Sequence, residues 1–184
     1  MSSFRVNDQV SLREFIPDDA KHVFNVVVKN YEHLSFMVWI RRDYSVAMAE
    51  EFVARSIADA KNKTSLVFGI FRGETFIGSI GYSSFDREAR TTEIGYWIDK
   101  DEQGTGIILR ACRLLVDHAF SALNLNRIQI RCSAENRRSA AIPEKLGFLK
   151  EGVLRQSQWR NGKLHDFAVY GLLASEWKAA GPHY

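Results

Sequence analysis

The stretch of this chain best suited to chemistry runs Glu93-Ile94-Gly95-Tyr96-Trp97-Ile98-Asp99-Lys100-Asp101-Glu102-Gln103-Gly104-Thr105-Gly106-Ile107. An apolar strand passes through a short acidic loop into Gly-x-Gly at the start of a helix. Glycines let the backbone turn sharply and approach a ligand with no Cβ in the way. The first N–H groups of a helix have no partner within it, and the helix dipole favours an anion beside them. Gln103, Gly104, Thr105, Gly106 and Ile107 therefore offer a cradle for a pyrophosphate. The motif is not a P-loop, since no Gly-Lys-Ser/Thr follows, and it lacks the third glycine of a dinucleotide fingerprint. Taken alone it is weak, and such a motif is more often a plain loop.

Charge adds a second pointer. Over 184 residues the net charge is only +3, too small to argue for nucleic acid. It is unevenly spread: between Asn124 and Lys163 lie nine Lys/Arg and three Asp/Glu. That surface reads as a solvated basic face or as one that meets an anionic ligand. No aromatic interleaving suggests a single-strand binder. Cys112 and Cys132 are too few for a disulfide framework or a zinc site, and no His/Cys/Asp cluster has metal spacing. Cys112 falls on an apolar helix face and reads as core. Cys132 reads as a buried structural thiol, with an acyl-cysteine route as the sharper alternative. His118 reads as a helix-surface residue, and His165 and Asp166 as an exposed turn or a substrate contact. No apolar run reaches membrane-span length, and the N-terminus lacks a signal peptide's apolar stretch. The expectation is a cytoplasmic protein with reduced thiols.

The elements that must position these residues follow from periodicity. Val10 to Phe15 reads as a strand, and Pro17-Asp18-Asp19 as the start of a helix running to about Asn30. Ser45 is a candidate N-cap for a second helix carrying Ala49, Phe52, Val53, Ser56, Ile57 and Ala60 on one stripe. Leu66 to Phe71, Phe76 to Phe85 and Thr92 to Ile98 read as strands of an antiparallel sheet. Ile108, Cys112, Leu115, Ala119 and Leu123 share one face of a helix from Ile107 to Leu123. Arg127 to Cys132 is a strand, and Ser139 to Leu146 a short helix stopped at Gly147. Lys150 to Arg160 and His165 to Leu173 form a hairpin turning at Asn161-Gly162. The sum is an α/β sandwich around one mixed, largely antiparallel sheet flanked by helices.

Downstream of the glycines lies Asn136-Arg137-Arg138-Ser139-Ala140-Ala141-Ile142-Pro143-Glu144-Lys145-Leu146-Gly147-Phe148. With it the chain resembles the GNAT N-acetyltransferase superfamily. That family's acetyl-CoA segment runs strand, Gly-rich turn, long helix, strand, then Asn-x-x-Ser leading to Leu-Gly-Phe. The Glu-Ile-Gly-Tyr-Trp-Ile strand, the Asn-x-x-Ser segment and Asn-Gly-Lys-Leu-His-Asp at Asn161 to Asp166 are similar to the ribosomal-protein serine/alanine acetyltransferase branch. The resemblance runs from Val10 to Trp177.

The resemblance implies the GNAT acyl-CoA N-acyltransferase fold in a single domain over 1–184. Acetyl-CoA would be the cosubstrate, no metal would be needed, and a primary amine would attack directly in a ternary complex. The acceptor it implies is a protein N-terminal α-amine, ribosomal-protein-like. Acetylation of a small amine (a polyamine, aminoglycoside or amino acid analogue) and a non-catalytic acyl-CoA sensor are the alternatives. Main-chain groups of Tyr96, Trp97 and Ile98 would pair with the pantetheine arm, and Asn136 with its amides. Gln103 to Ile107 would hold the pyrophosphate, with Arg138 and Ser139 completing the set. Glu93 would be the base and Ser139 would support the leaving thiolate. Alternation puts Glu93, Gly95 and Trp97 on one strand face and Ile94, Tyr96 and Ile98 on the other. Acceptor specificity would lie within Asn25 to Arg42, where Phe36-Met37-Val38-Trp39-Ile40 lines a pocket, an interface or plain core, and in the last hairpin. A homodimer is implied as well. The chain departs from the family at Asp101, where Gln or Arg is usual. An acid there does not help an anion, so Arg110 and Arg137-Arg138 are the candidates to compensate.

Overall fold

The computed structural model describes residues 3–35, 37, 39–160 and 162–179. Eight strands form one sheet in the order β1-β2-β3-β4-β5-β6-β8-β7. In chain order the elements are β1 (Ser3–Arg5), β2 (Val10–Glu14), α1 (Asp19–Lys29), α2 (Tyr31–Leu34), α3 (Val46–Asn62), β3 (Leu66–Arg72), β4 (Thr75–Asp86), β5 (Thr91–Ile98), α4 (Ile107–Ser121), β6 (Arg127–Ser133), α5 (Arg137–Lys145), β7 (Leu149–Arg160), β8 (Lys163–Leu173) and α6 (Ala174–Ala179). Among these, no helix is long and apolar enough to cross a membrane.

Alternation along the strands builds two cores. Phe68, Ile70, Ile80, Tyr82, Ile94 and Ile98 pack toward α4, whose Ile108, Ala111, Cys112, Leu115, Val116 and Ala119 form a fully apolar stripe. Each large aliphatic side chain buried this way stabilises the fold by about 1.5–3 kcal/mol. On the other face Phe71, Phe76 and Trp97 meet Val23 and Val27 of α1 and Ala49 and Val53 of α3. Ser45 caps α3 as the sequence suggests, accepting from the Met48 N–H at 3.4 Å.

Every strand pair is antiparallel except β5 with β6. That parallel pairing covers only Thr91↔Arg127, Thr92↔Ile128 and Glu93↔Gln129. Beyond it the two strands part, while β4 continues along β5 to Ile98 and β8 along β6 to Ser133. The sheet thus has an opening in its middle, flanked by main chain whose ladder partners are missing on that side.

Three sequence expectations are corrected. Leu123 lies beyond α4, which ends at Ser121, and is exposed rather than part of the stripe. α5 starts at Arg137 rather than Ser139, and its N-cap is Asn136. His118 is half-buried rather than a plain surface residue: its Nδ1 meets the Tyr82 hydroxyl at 3.0 Å and its ring lies against Phe4, with centroids 5.1 Å apart. His165 and Asp166 lie in β8, as the strand reading from His165 to Leu173 expects, with His165 half-buried and Asp166 exposed. Asn161, Phe36 and Val38 lie outside the described residues; Met37, Trp39 and Ile40 pack on the second core.

Candidate active site

At the end of β5 the chain is pinned before it reaches the glycines. Asp99 caps a single 3-10 turn over Lys100–Glu102, its Oδ1 accepting from the Asp101 N–H at 3.0 Å. Asn30, at the end of α1, accepts the Lys100 N–H on its Oδ1 at 2.8 Å. Beside it the Lys29 ammonium sits 2.6 Å from Asp101 and 2.8 Å from Asp99. The hydrogen bonds it donates to these carboxylates, Asp101 foremost, push the Lys29 pKa up to about 12. The acid that departs from the family pattern is therefore matched by a cation from α1.

Gly104 and Gly106 follow with φ of 75° and 74°, the left-handed region where a side chain is strained. Gly106 is the N-cap of α4 and has no side chain to satisfy the first-turn N–H groups. Arg110 folds back over it, Nη2 donating to the Thr105 carbonyl at 2.9 Å. A Cβ on Gly106 would stand 3.1 Å from Arg110 Nη1. The loop thus combines two left-handed glycines, the positive end of a helix dipole and a guanidinium, features that favour an anion beside it.

Arg138, on the first turn of α5, closes toward this loop. Its Nη1 donates to Gln103 Oε1 at 2.5 Å, and Gln103 Nε2 lies 2.8 Å from His33 Nε2. Burial first, then the Arg138 charge, hold the His33 pKa down, while its ring also hydrogen-bonds the Ile98 backbone. A neutral ring with Nδ1–H on that carbonyl can accept the Gln103 N–H. The structure brings Ile98, Gln103 and Arg138 together through a residue that sequence reasoning did not single out.

A second cluster lies on the α5 side of the opening. Asn136 Oδ1 accepts the Ser139 N–H at 3.1 Å, so its role here is the helix cap. The Tyr96 hydroxyl donates to the Ser139 carbonyl at 3.0 Å and lies 3.2 Å from Ser139 Oγ. Desolvation holds the Tyr96 pKa well above the usual phenol range. Burial likewise raises the Cys132 thiol pKa, opposed by a hydrogen bond from Ser139. Cys132 is thus a poor resting nucleophile.

The opposite face holds a third cluster. Glu93 Oε2 accepts from Arg131 Nε at 2.8 Å and from Gln129 Nε2 at 3.3 Å. Glu93 and Ser139 are therefore not in contact; the sheet opening lies between them. Arg131 and Gln129 were legible only as members of a basic, alternating strand. The side chains of Trp97, Ile98 and Ile107 are buried in the two cores, Trp97 against Phe76 and Trp39 with centroids at 5.6 and 5.8 Å. Only their main-chain groups can serve a ligand. Asp166 is engaged by the Gln156 N–H at 2.8 Å, and His165 lies 3.8 Å from Glu135. Among the described residues no cluster of His, Cys, Asp and Glu could hold a metal.

Comparison with known proteins follows the same outline. Residues 9–149 match the acetyltransferase (GNAT) domain family. YdaF of Bacillus subtilis strain 168, provisionally designated a ribosomal N-acetyltransferase, is 35% identical over 182 residues, spanning 97% of this chain and 98% of its own. The ribosomal-protein-serine acetyltransferase of Escherichia coli K12 is 27% identical over 172 residues, or 93% of this chain and 96% of its own. Among solved structures, the microcin C7 self-immunity acetyltransferase MccE in complex with acetyl-CoA and AMP superposes with a TM-score of 0.85 at 26% identity, over 91% of this chain and 94% of that one.

Proposed function

The chain belongs to the GNAT acetyltransferase family, and from that premise we propose that it carries acetyl from acetyl-CoA to the N-terminal α-amine of a ribosomal-protein-like acceptor, by direct attack in a ternary complex. One observation carries the reading. Where β5 and β6 part beyond Glu93 and Gln129, the opening has Tyr96 and Ser139 on one face and Glu93 on the other.

The residues suit the cosubstrate. The Gln103 N–H is already turned to the Lys100 carbonyl at 3.4 Å, so the N–H groups of Gly104 to Ile107, with Arg110 and Arg138, would take its phosphates. The main chain of Tyr96 to Ile98, without a partner on the β6 side, would pair with its amide arm. When bound, acetyl-CoA supplies an acyl group activated as a thioester. The protein's share is to accept a proton from the amine, hold the acyl oxygen and support the departing sulfur. An α-amine of pKa about 7.8 costs about 1 kcal/mol to neutralise at pH 7, whereas lysine at about 10.4 costs about 4.6 kcal/mol. A carboxylate acting through water is enough for the first. Glu93 is that base, and Arg131 and Gln129 hold it at the edge of the opening. A main-chain N–H of β5 would hold the acyl oxygen. Ser139 donates to the sulfur as the C–S bond breaks and the N–C bond forms. The proton lost by the amine ends, through solvent, on the thiolate.

The same reading takes the chain as one domain over 1–184 acting as a homodimer in the cytoplasm. β7 supports the dimer: it is an edge strand, and Leu149, Leu154 and Trp159 on it are 65, 45 and 67% exposed.

The test is thiol release from acetyl-CoA against ribosomal-protein N-terminal peptides, spermidine and an aminoglycoside, with products identified by mass. Acetylation confined to peptide α-amines is expected. Preference for a small amine overturns the acceptor, and bound acetyl-CoA without release to any of them overturns the activity.

A further inference from the structure

From the contacts around α5 we infer that Tyr96 is a positioning residue for catalysis: its side-chain hydroxyl fixes and polarises Ser139 for the leaving thiolate. The inference rests on the Ser139 role just proposed. In an α-helix the Ser139 carbonyl would accept the N–H of the residue four positions on, and that residue is Pro143, which has none. The vacant carbonyl takes the Tyr96 O–H instead, at 3.0 Å. The same phenol oxygen lies 3.2 Å from Ser139 Oγ, so one side chain grips both polar ends of the serine. Tyr96 stands on the rigid half of β5, paired to Ile80 of β4, and packs against the apolar core beside α4. The grip is therefore anchored in the sheet rather than in a loop.

The arrangement has a consequence for sulfur. At rest the phenol proton lies on the Ser139 carbonyl, and Oγ shares its own proton between Tyr96 and the Cys132 thiol. When a thiolate develops in the opening, Oγ–H turns to it and the phenol proton swings to Oγ. A hydroxyl that receives a hydrogen bond donates a stronger one. No proton leaves either oxygen, so the step needs no ionised tyrosine, in keeping with the buried phenol. Removing the hydroxyl should free the serine rotamer and weaken its donation without altering where the phosphates bind.

The experiment uses Y96F, S139A and Y96F/S139A in the full chain, with circular dichroism and thermal melts to establish folding. The pKa of the thiol of bound coenzyme A is read from thiolate absorbance, as the difference between protein with and without coenzyme A. Turnover with the best peptide acceptor is read beside it. The parent protein should bind coenzyme A with a thiol pKa below that of the free thiol. S139A and Y96F should each raise it, and the double variant should raise it no further than S139A does. Turnover should fall roughly tenfold in Y96F, with the KM for acetyl-CoA unchanged within about twofold. A Y96F thiol pKa equal to the parent's, or an equal further rise when Y96F is added to S139A, overturns the inference. A parent-like thiol pKa and turnover in S139A overturn the Ser139 role itself, a separate result. Should Y96F not fold, Y96M at reduced temperature reads the same pKa, since an unbranched thioether is smaller than the phenol, adapts to the core and carries no hydroxyl.

Discussion

Pro143 and Tyr96 are complementary: the proline removes the α-helical donor to the Ser139 carbonyl, and the tyrosine hydroxyl occupies it at 3.0 Å. Deleting the hydroxyl leaves a part-buried carbonyl unpaired, at a cost of about 1–3 kcal/mol. P143A returns a helical N–H to that carbonyl, so the same deletion should then cost less. Urea unfolding of Y96F, P143A and the double variant should give a coupling of about 1 kcal/mol. Strict additivity would mean that the carbonyl contact contributes nothing.

Glu93 tests the acid–base side. E93Q keeps the shape and a partner for Arg131 Nε while removing the proton acceptor. Turnover should fall about 10²-fold near neutral pH with the acetyl-CoA KM little changed. The loss should shrink as pH rises through the acceptor amine's pKa, about 7.8, because more amine then arrives already neutral. A loss that stays constant up to pH 9 would assign Glu93 a structural role with Arg131.

How much of this was legible in the sequence depends on the range of each interaction. β3, β4, β5 and α4 fall within two residues of where the apolar periods put them, because burial on one face writes itself locally. α5 begins two residues before the expected Ser139 because Asn136 caps it by accepting the Ser139 N–H, a contact that no local pattern shows. β1 has three residues, too few to show a period. The tyrosine–serine contact joins residues 43 apart, and the Gln103–His33 contact residues 70 apart. Sequence could name Tyr96 for its main chain, but nothing local shows where its phenol ends. Arg131 was visible as charge and invisible as the partner of Glu93.

Gly106 should resist replacement for two reasons at once. Its φ of 74° strains any L side chain, and a Cβ would crowd Arg110 Nη1 at 3.1 Å. G106A should raise the acetyl-CoA KM roughly tenfold while costing about 1–2 kcal/mol of stability. R110A should raise the same KM with a smaller stability loss, and the effect should weaken in high salt. Isothermal titration with coenzyme A separates the two. Unchanged affinity in both would remove the phosphates from this loop.

Lys29 answers the doubt that Asp101 raises, and it does so with a definite pH signature. Its folded pKa of about 12 exceeds the ordinary 10.5, so the ammonium adds stability that is fully present below pH 10.5 and lost as pH climbs through 12. Asp99 carries the opposite sign. Burial opposes its ionisation, but Lys29 and the Asp101 N–H prevail and hold its pKa below 3.8. Its contribution is present above that value and fades as pH falls beneath it. Lys29 is 48% exposed, so solvent screening limits the ion pairs to no more than about 1 kcal/mol. K29M should therefore melt slightly below the parent at pH 7, and the gap should close both above pH 12 and well below pH 3.8. The acetyl-CoA affinity of K29M should fall as well, because Asp101 would then stand beside the glycine loop with its charge uncompensated. Unaltered affinity together with the melting gap would mean that Asp101 is too well solvated to matter to the phosphates, and that the ion pairs serve only to fasten α1 to the end of β5.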